Sequence, residues 1–236
     1  MYGWRARLGI VIPSLNAVSE PEFCRITPEG VTSHFQRFSF TGGGIETLKN
    51  LRNLITDAVE QLLHIYPSAI GMCCTAGSFA GGKGWDQGII KEIQEKADLP
   101  ATTASTAVLE AFRKMGVHTV SMAVPYLEEI AIREKEFFED NDIEVANIKW
   151  LNKDGFEMYE VPYETTYRLA MQVNSQKAQA IFVSCVALPT AGLISKLESD
   201  VGKPVITSNQ AFIWHLLRLA TINEKIEGFG ELLSLS

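Results

Sequence analysis

The sequence predicts an α/β protein of two pseudo-symmetric lobes, each built on a four-stranded parallel sheet, and three observations carry that reading. Short apolar runs alternate with helix-period segments along nearly all of the 236 residues, the pattern of βα units. Two halves of the chain answer each other. RLGIVIPSL at 7–15 matches TVSMAVPYL at 119–127, IGMCCTAG at 70–77 matches IFVSCVAL at 181–188, and LPATTASTA at 99–107 matches KPVITSNQA at 203–211, at offsets of 112, 111 and 104. No Pro/Ser-rich linker separates the halves, so they are expected to share one interface. The lobes are expected to be flavodoxin-like (Rossmann-like), the first spanning 1–116 and the second 117–210, with about 211–236 packing back on the first. Ligands of open parallel sheets bind beyond the carboxyl ends of the strands, so strand-end residues of both lobes should face a shared cleft.

The elements follow in chain order. Apolar runs bounded by Pro, Gly or polar residues place strands near 7–13, 34–40, 69–74, 100–104, 119–125, 145–151, 180–186 and 204–208. Helices fill the gaps. The clearest is expected over 45–64, where Ile45, Leu48, Leu51, Ile55, Val59 and Leu62 recur every three or four residues as one apolar stripe. A helix begins near Trp85, and another, 127–141, is highly charged outside its apolar face.

Composition narrows the function. Hydrophobic residues at 46% and charged residues at 21% are those of an ordinary globular protein, which argues against disorder. A net charge of −7 with no Lys/Arg-rich run argues against nucleic acid and anionic membrane as partners. The N-terminal stretch lacks a secretory pattern and no segment reaches the length of a membrane span, so a cytoplasmic location is expected.

The duplication sets Cys74 and Cys185 at equivalent strand ends, each expected to lead into a loop. Two thiols facing a substrate from opposite sides are what a cofactor-free racemase or isomerase needs: one acts as thiolate and the other donates a proton. Cys24 and Cys73 read as buried small hydrophobes. A disulfide between Cys74 and Cys185 is the third reading, disfavoured in a reducing compartment. No pair of cysteines or histidines has metal-ligand spacing. GSFAGGKG fits the start of a phosphate-binding loop, but Gly84 stands where the magnesium-binding Ser or Thr would be, so a nucleotide site is rejected. The glycines after Cys74 serve either as a turn or as an anion-binding loop. Asn16 and Tyr126, after Pro13 and Pro125, either donate to a substrate carboxylate or cap the following helices. Phe40, Thr41 and Gly42 to Gly44 form a loop able to close over the site. Backbone N–H groups after Cys74 are expected to lower that thiol's pKa, while Cys185 in its apolar stretch keeps its proton longer.

IVIPSLN at 10–16, CTAGSF with GGKGWD at 74–86, LPATTASTA at 99–107, VPY at 124–126 and SCVALPT at 184–190 resemble the aspartate/glutamate racemase superfamily, in its maleate cis-trans isomerase and arylmalonate decarboxylase branch. The resemblance implies a cofactor-independent enzyme, without metal, that binds a small carboxylate or dicarboxylate between its lobes and assembles as a homo-oligomer. It implies Cys74 as nucleophile, Cys185 as acid/base partner, and Asn16, Thr75 and Tyr126 with backbone N–H groups near Ala76 and Val186 as the oxyanion pocket. Isomerisation or racemisation is the leading expectation. An arylmalonate-type decarboxylase and a non-catalytic carboxylate-binding protein are the alternatives. Two departures from the family pattern bear on specificity. Met158 lies near the position of an Asn that holds the second carboxylate in maleate isomerases, and Ala76 replaces the Ser found beside the pocket Thr in arylmalonate decarboxylase. The pocket is therefore expected to suit a carboxylate with one less polar end.

Overall fold

Hydrophobic patterning resolves into two parallel sheets in the computed structural model, which describes residues 2–235. The first lobe runs β1 (Ala6–Pro13), α1 (Ser19–Ile26), β2 (Val31–Phe38), α2 (Ile45–Asn50), α3 (Ile55–Leu63), β3 (Ala69–Met72), α4 (Thr75–Phe79), α5 (Trp85–Ala97), β4 (Ala101–Thr103) and α6 (Ala104–Met115). The second runs β5 (Thr119–Val124), α7 (Glu128–Asp140), β6 (Glu144–Trp150), α8 (Tyr163–Val173), β7 (Ala180–Val183), α9 (Ile194–Val201) and β8 (Val205–Thr207), and α10 (Ser208–Leu219) and α11 (Glu231–Ser234) follow. Strand orders are β2-β1-β3-β4 and β6-β5-β7-β8, the same permutation twice, with every pairing parallel. The repeat extends to the helix starts: Thr103 caps α6 by accepting from Thr106 N–H, and Thr207 caps α10 by accepting from Gln210 N–H. Among the described residues no helix is long and apolar enough to cross a membrane.

Strands β3 and β7 end earlier than the sequence expectation, β3 at Met72 rather than 74 and β7 at Val183 rather than 186, and two other elements differ in ways that have a physical reason. β2 begins at Val31 rather than 34, and all eight of its residues pair with β1. It is an edge strand whose middle residues are half exposed, so Thr32 and Ser33 carry no apolar signal although their backbone is in the ladder. The helix expected over 45–64 is broken into α2 and α3 by a 3-10 turn at Leu51–Leu54. Asn50, a weak helix former, precedes the tightened turn and Asn53 lies within it. Arg52 is pinned there, its guanidinium 5.0 Å from the Trp85 ring and its Nε donating to Glu92 at 2.7 Å. The buried stripe of Leu48, Leu51, Ile55, Val59 and Leu62 continues through the break, which is why periodicity alone did not register it.

One continuous core spans both lobes. Phe112 of α6 meets Phe138 of α7 and Phe182 of β7 at ring separations of 5.6 and 5.8 Å. Helix α10 packs on α6, β3 and β4 of the first lobe. Its Phe212 stacks on Phe23 at 5.7 Å and lies over Gly71, where a Cβ would come within 2.6 Å of the ring. Glu22 of α1 ties the lobes with its buried carboxylate, accepting from the N–H groups of Thr190 (2.6 Å) and Ala191 (2.8 Å) and from Asn209 Nδ2 (2.8 Å). This clamp holds the segment that follows Cys185 against the first lobe.

Candidate active site

At the carboxyl ends of β1, β3, β5 and β7 the two lobes enclose a cavity of about 40 Å³. Cys74, Thr75, Ala76, Tyr126, Cys185, Val186 and Asn16 all line it, so every residue singled out from sequence for substrate or catalysis meets there. Pro13, Leu15, Phe40, Leu48, Ile130, Met158 and Ala187 give most of the remaining wall an apolar character.

The two thiols sit on unlike backbones. Cys74 is extended, with φ −150°, and leads directly into α4 rather than into the loop expected from sequence. Cys185 takes φ +90°, a conformation costly for a side chain with a Cβ, and leads into an irregular turn. The turn is held by Cys185 N–H donating to Ser208 Oγ at 3.0 Å and by Ala187 N–H donating to the Cys185 sulfur at 3.3 Å. The Cys185 thiol in turn contacts Met158 Sδ at 3.5 Å. All cysteines are free thiols.

Burial pushes both thiols up to about 12, against one favourable backbone N–H each, from Gly77 on Cys74 and from Ala187 on Cys185. This corrects the expectation that Cys74 alone would be acidified. A single N–H at the start of the five-residue α4 does not offset removal of the thiolate from water. Tyr126, fully buried, donates its hydroxyl to the Cys185 sulfur and favours that thiolate.

Thr75 Oγ1 is buried with no partner among the described residues, while the Thr75 carbonyl is fixed by Ser78 Oγ at 2.8 Å and Ser105 Oγ at 3.2 Å. The N–H groups of Thr75 and Ala76, the first two residues of α4, have no acceptor inside their own helix. Both residues line the cavity. Asn16 is fully engaged: Oδ1 accepts from Val18 N–H (2.8 Å) and Ser19 N–H (3.0 Å), and Nδ2 donates to Ser19 Oγ (3.0 Å) and to the Val186 carbonyl (3.2 Å). It caps the approach to α1 and reaches across to the second lobe.

The loop at 40–44 closes the cavity, with Phe40 and Gly43 in its lining. Gly43 N–H donates to Asp154 Oδ1 at 3.2 Å, and the same carboxylate caps the turn at Gly155. Gly42 has φ +116°, and a Cβ there would meet the Gly155 backbone at 3.0 Å, so the latch requires glycine. The glycines at 81–84 lie outside the cavity lining. Gly81 packs against Trp85 and Gly82 against Arg133 of α7, and Lys83 donates to the Asp140 carbonyl, so the segment contributes no anion loop to this cavity. Cys73 is buried, its thiol 3.5 Å from Ser19 Oγ. Cys24, expected to be buried, is exposed: the inward face of α1 is Ser19, Glu22, Phe23 and Ile26, and Cys24 lies off it.

Sequence reasoning passed over Asp154, Ser184, Glu22 and Glu134. Glu134 is fully buried in α7, and burial pushes its carboxyl up to about 8. Its position was legible, because it falls four residues after Ile130 and four before Phe138 on the apolar stripe.

Comparison with known proteins places this geometry. The chain is 26% identical to the arylmalonate decarboxylase of Bordetella bronchiseptica over 231 residues, which cover 95% of each protein. The structure superposes on the maleate isomerase of Pseudomonas putida with a TM-score of 0.93 at 21% identity, covering 97% of this chain and 98% of the other. It also superposes on a mutant maleate cis-trans isomerase of Nocardia farcinica carrying a covalently bound succinylcysteine intermediate, with a TM-score of 0.92 at 20% identity over 97% and 98% of the two chains. The model of the arylmalonate decarboxylase family matches residues 8–233, and the chain belongs to that family.

Proposed function

We propose that this protein is a cofactor-independent cysteine isomerase acting on a small unsaturated carboxylic acid. The observation that carries the reading is the convergence of two free thiols, Cys74 and Cys185, on one cavity with a hydroxyl beside them, Thr75 Oγ1, that has no partner among the described residues. The substrate carboxylate sits at Thr75, Tyr126 and the first N–H groups of α4, and its other end lies against Leu48, Ile130 and Met158.

Cys74, a thiol at neutral pH, first releases its proton to solvent, and the thiolate so formed adds its electron pair to the alkene carbon β to the bound carboxylate. The π electrons move onto that carboxylate, whose charge is held by fixed donors worth about 3 kcal/mol each. Cys185 gives its proton to the α-carbon, leaving a saturated thioether free to rotate about the former double bond. Cys185 then removes the proton, the C–S bond breaks, and the trans acid leaves with both thiols restored to their starting states. The succinylcysteine held by the Nocardia enzyme is the adduct expected from such an addition to maleate.

The apolar end of the cavity and the family match favour a second reading, decarboxylation of a substituted malonate with protonation by Cys185. One panel separates them: maleate, citraconate, aspartate, glutamate and substituted malonates, followed by proton NMR in deuterated buffer and by mass spectrometry of the protein. A trans product with an adduct on Cys74 supports isomerisation. Carbon dioxide release that survives Cys74→Ala but not Cys185→Ala replaces it with decarboxylation, and α-deuteration without an adduct replaces it with racemisation. Thermal stabilisation by dicarboxylates with no turnover leaves a binding protein. The lobe boundary at 116 and 117, a homo-oligomeric assembly, a cytoplasmic location and the lack of a nucleic acid partner belong to the same proposal. A single-chain mass by light scattering at micromolar concentration would remove the assembly.

A further inference from the structure

Glu134 is a buried acid that the proposed reaction does not use, yet it stands at the end of a line that reaches the cavity. Its Oε1 lies 2.6 Å from Ser184 Oγ. Ser184 Oγ is 3.3 Å from the Tyr126 hydroxyl, and Tyr126 bonds to the Cys185 sulfur. The second carboxyl oxygen, Oε2, is buried without a partner among the described residues.

Counting hydrogens along this line gives two states. Ser184 and Tyr126 each own one hydroxyl hydrogen, so Ser184 cannot donate to both of its neighbours. With a proton on Glu134, the carboxyl donates to Ser184, Ser184 donates to the Tyr126 oxygen, and the Tyr126 hydrogen is left for Cys185 and the substrate. With Glu134 ionised, Ser184 donates to the carboxylate and its oxygen becomes the acceptor that draws the Tyr126 hydrogen out of the cavity. We infer that Glu134 is a positioning residue whose proton holds the Tyr126 hydroxyl aimed at Cys185 and the substrate, and whose ionisation turns it away. The inference rests on the cysteine-isomerase reading for its effect on rate, but not for the two states themselves.

The surroundings favour the protonated state at neutral pH. Desolvation is the largest influence on Glu134, opposed by the Ser184 hydrogen bond, and together they put its pKa at about 8. A bare Oε2 is tolerable on a neutral carboxyl and costly on a carboxylate. From the cavity side it faces Tyr126 and Cys185. Helix α4, packed against α7, brings no ionisable side chain. Strand β6 brings Glu144 and Lys149, both exposed and held by Thr119 and Gln172. On α7 itself Arg133 pairs with Glu136 and Lys135 with Glu139 at the surface.

Infrared titration of the whole enzyme tests the two states without a substrate. A protonated-carboxyl stretch is expected at pH 7, lost on raising the pH through about 8, absent in Glu134→Gln and shifted in Ser184→Ala. The kinetic test takes the ratio of Glu134→Gln to wild-type kcat and compares it with the same ratio in a Ser184→Ala background, which retains the direct influence of the Glu134 charge on the Cys185 thiol. An amide keeps donating to Ser184 at every pH, so from pH 7 to pH 9 the ratio should rise about tenfold more with Ser184 intact than when both proteins also carry Ser184→Ala. A merely structural role would give no such dependence. Absence of the band at pH 7, or a ratio that rises no more with Ser184 intact than without it, overturns the inference. A substrate panel with no turnover would refute the isomerase reading while the infrared titration still reports Glu134.

Discussion

Substitution of Gly71 by alanine tests how firmly α10 belongs to the first lobe. Gly71 is paired on both sides in the middle of β3 and its φ is unremarkable, so the backbone tolerates alanine; the space does not. A Cβ would lie 2.6 Å from Phe212 Cζ and 2.8 Å from Cε2, about 1 Å inside ordinary carbon contact. Phe212 has little room to retreat, being fully buried and stacked on Phe23. Overpacking of this kind costs about 1–3 kcal/mol. For a chain of this size that lowers Tm by roughly 4–10 °C when the cost is about 2–3 kcal/mol. Urea unfolding followed by circular dichroism gives the free energy directly, and Phe212→Leu, which withdraws the ring, supplies a double-mutant cycle. The two changes together should destabilise by about 1–2 kcal/mol less than the sum of each alone. Strict additivity, or a Gly71→Ala midpoint unchanged from wild type, would refute the packing of α10 on β3 described above.

Three further outcomes follow from the site. Thr75→Val should lower kcat by about a hundredfold through loss of a donor, while stability holds or rises, because the hydroxyl it deletes is buried without a partner; a fall in both quantities would contradict a free Oγ1. Asp154→Ala releases Gly43 from its latch, and steady-state kinetics should show KM rising several-fold with a smaller change in kcat. Glu134 binds a proton more tightly folded than unfolded, with a pKa near 8 against 4.5, so its contribution to stability is fully present below about pH 4.5 and is lost as pH rises to about 8. Glu134→Gln should therefore be more stable than wild type by about 3–4 kcal/mol at pH 7 to 8 relative to its difference at pH 4, and a pH-independent difference would show that the acid is not desolvated.

Local and periodic signals explain what the sequence made legible. Strand and helix alternation, the duplicated segments and the paired strand-end cysteines are properties of short windows compared with one another, and each reappears as an element, a topology or a lining residue. What stayed hidden depends on contacts between windows. The bend between α2 and α3 is fixed by Arg52 meeting Trp85 and Glu92, some 30 to 40 positions away in the chain. Glu22 and Glu134 lie on buried stripes, and what each carboxyl meets there, Thr190 and Ala191 or Ser184, comes from a distant part of the chain. The shared rise of both thiols is a consequence of desolvation, which exists only once the lobes have closed.

Because burial lifts Cys74 and Cys185 alike, the difference in their roles has to come from geometry. The backbone supplies it: Cys74 has φ −150° at the start of α4, and Cys185 has φ +90° in a turn held by Ser208 and Ala187. A positive φ of this kind costs a residue with a Cβ about 1–3 kcal/mol, and glycine almost nothing. The order of glycine and alanine should therefore invert between the two positions. At Cys74, alanine should be more stable than glycine by about 0.5–1 kcal/mol, the usual entropic difference. At Cys185, glycine should be more stable than alanine by about 1 kcal/mol, since relief of the positive φ outweighs that same entropy. Comparing Gly with Ala at one site cancels the lost sulfur contacts, so thermal melts of the four single variants isolate the backbone term. All four should be inactive as isomerases, which leaves stability as the readout. Alanine above glycine at both sites would mean that Cys185 is not held in a strained turn, and the structural distinction between the two thiols would go with it.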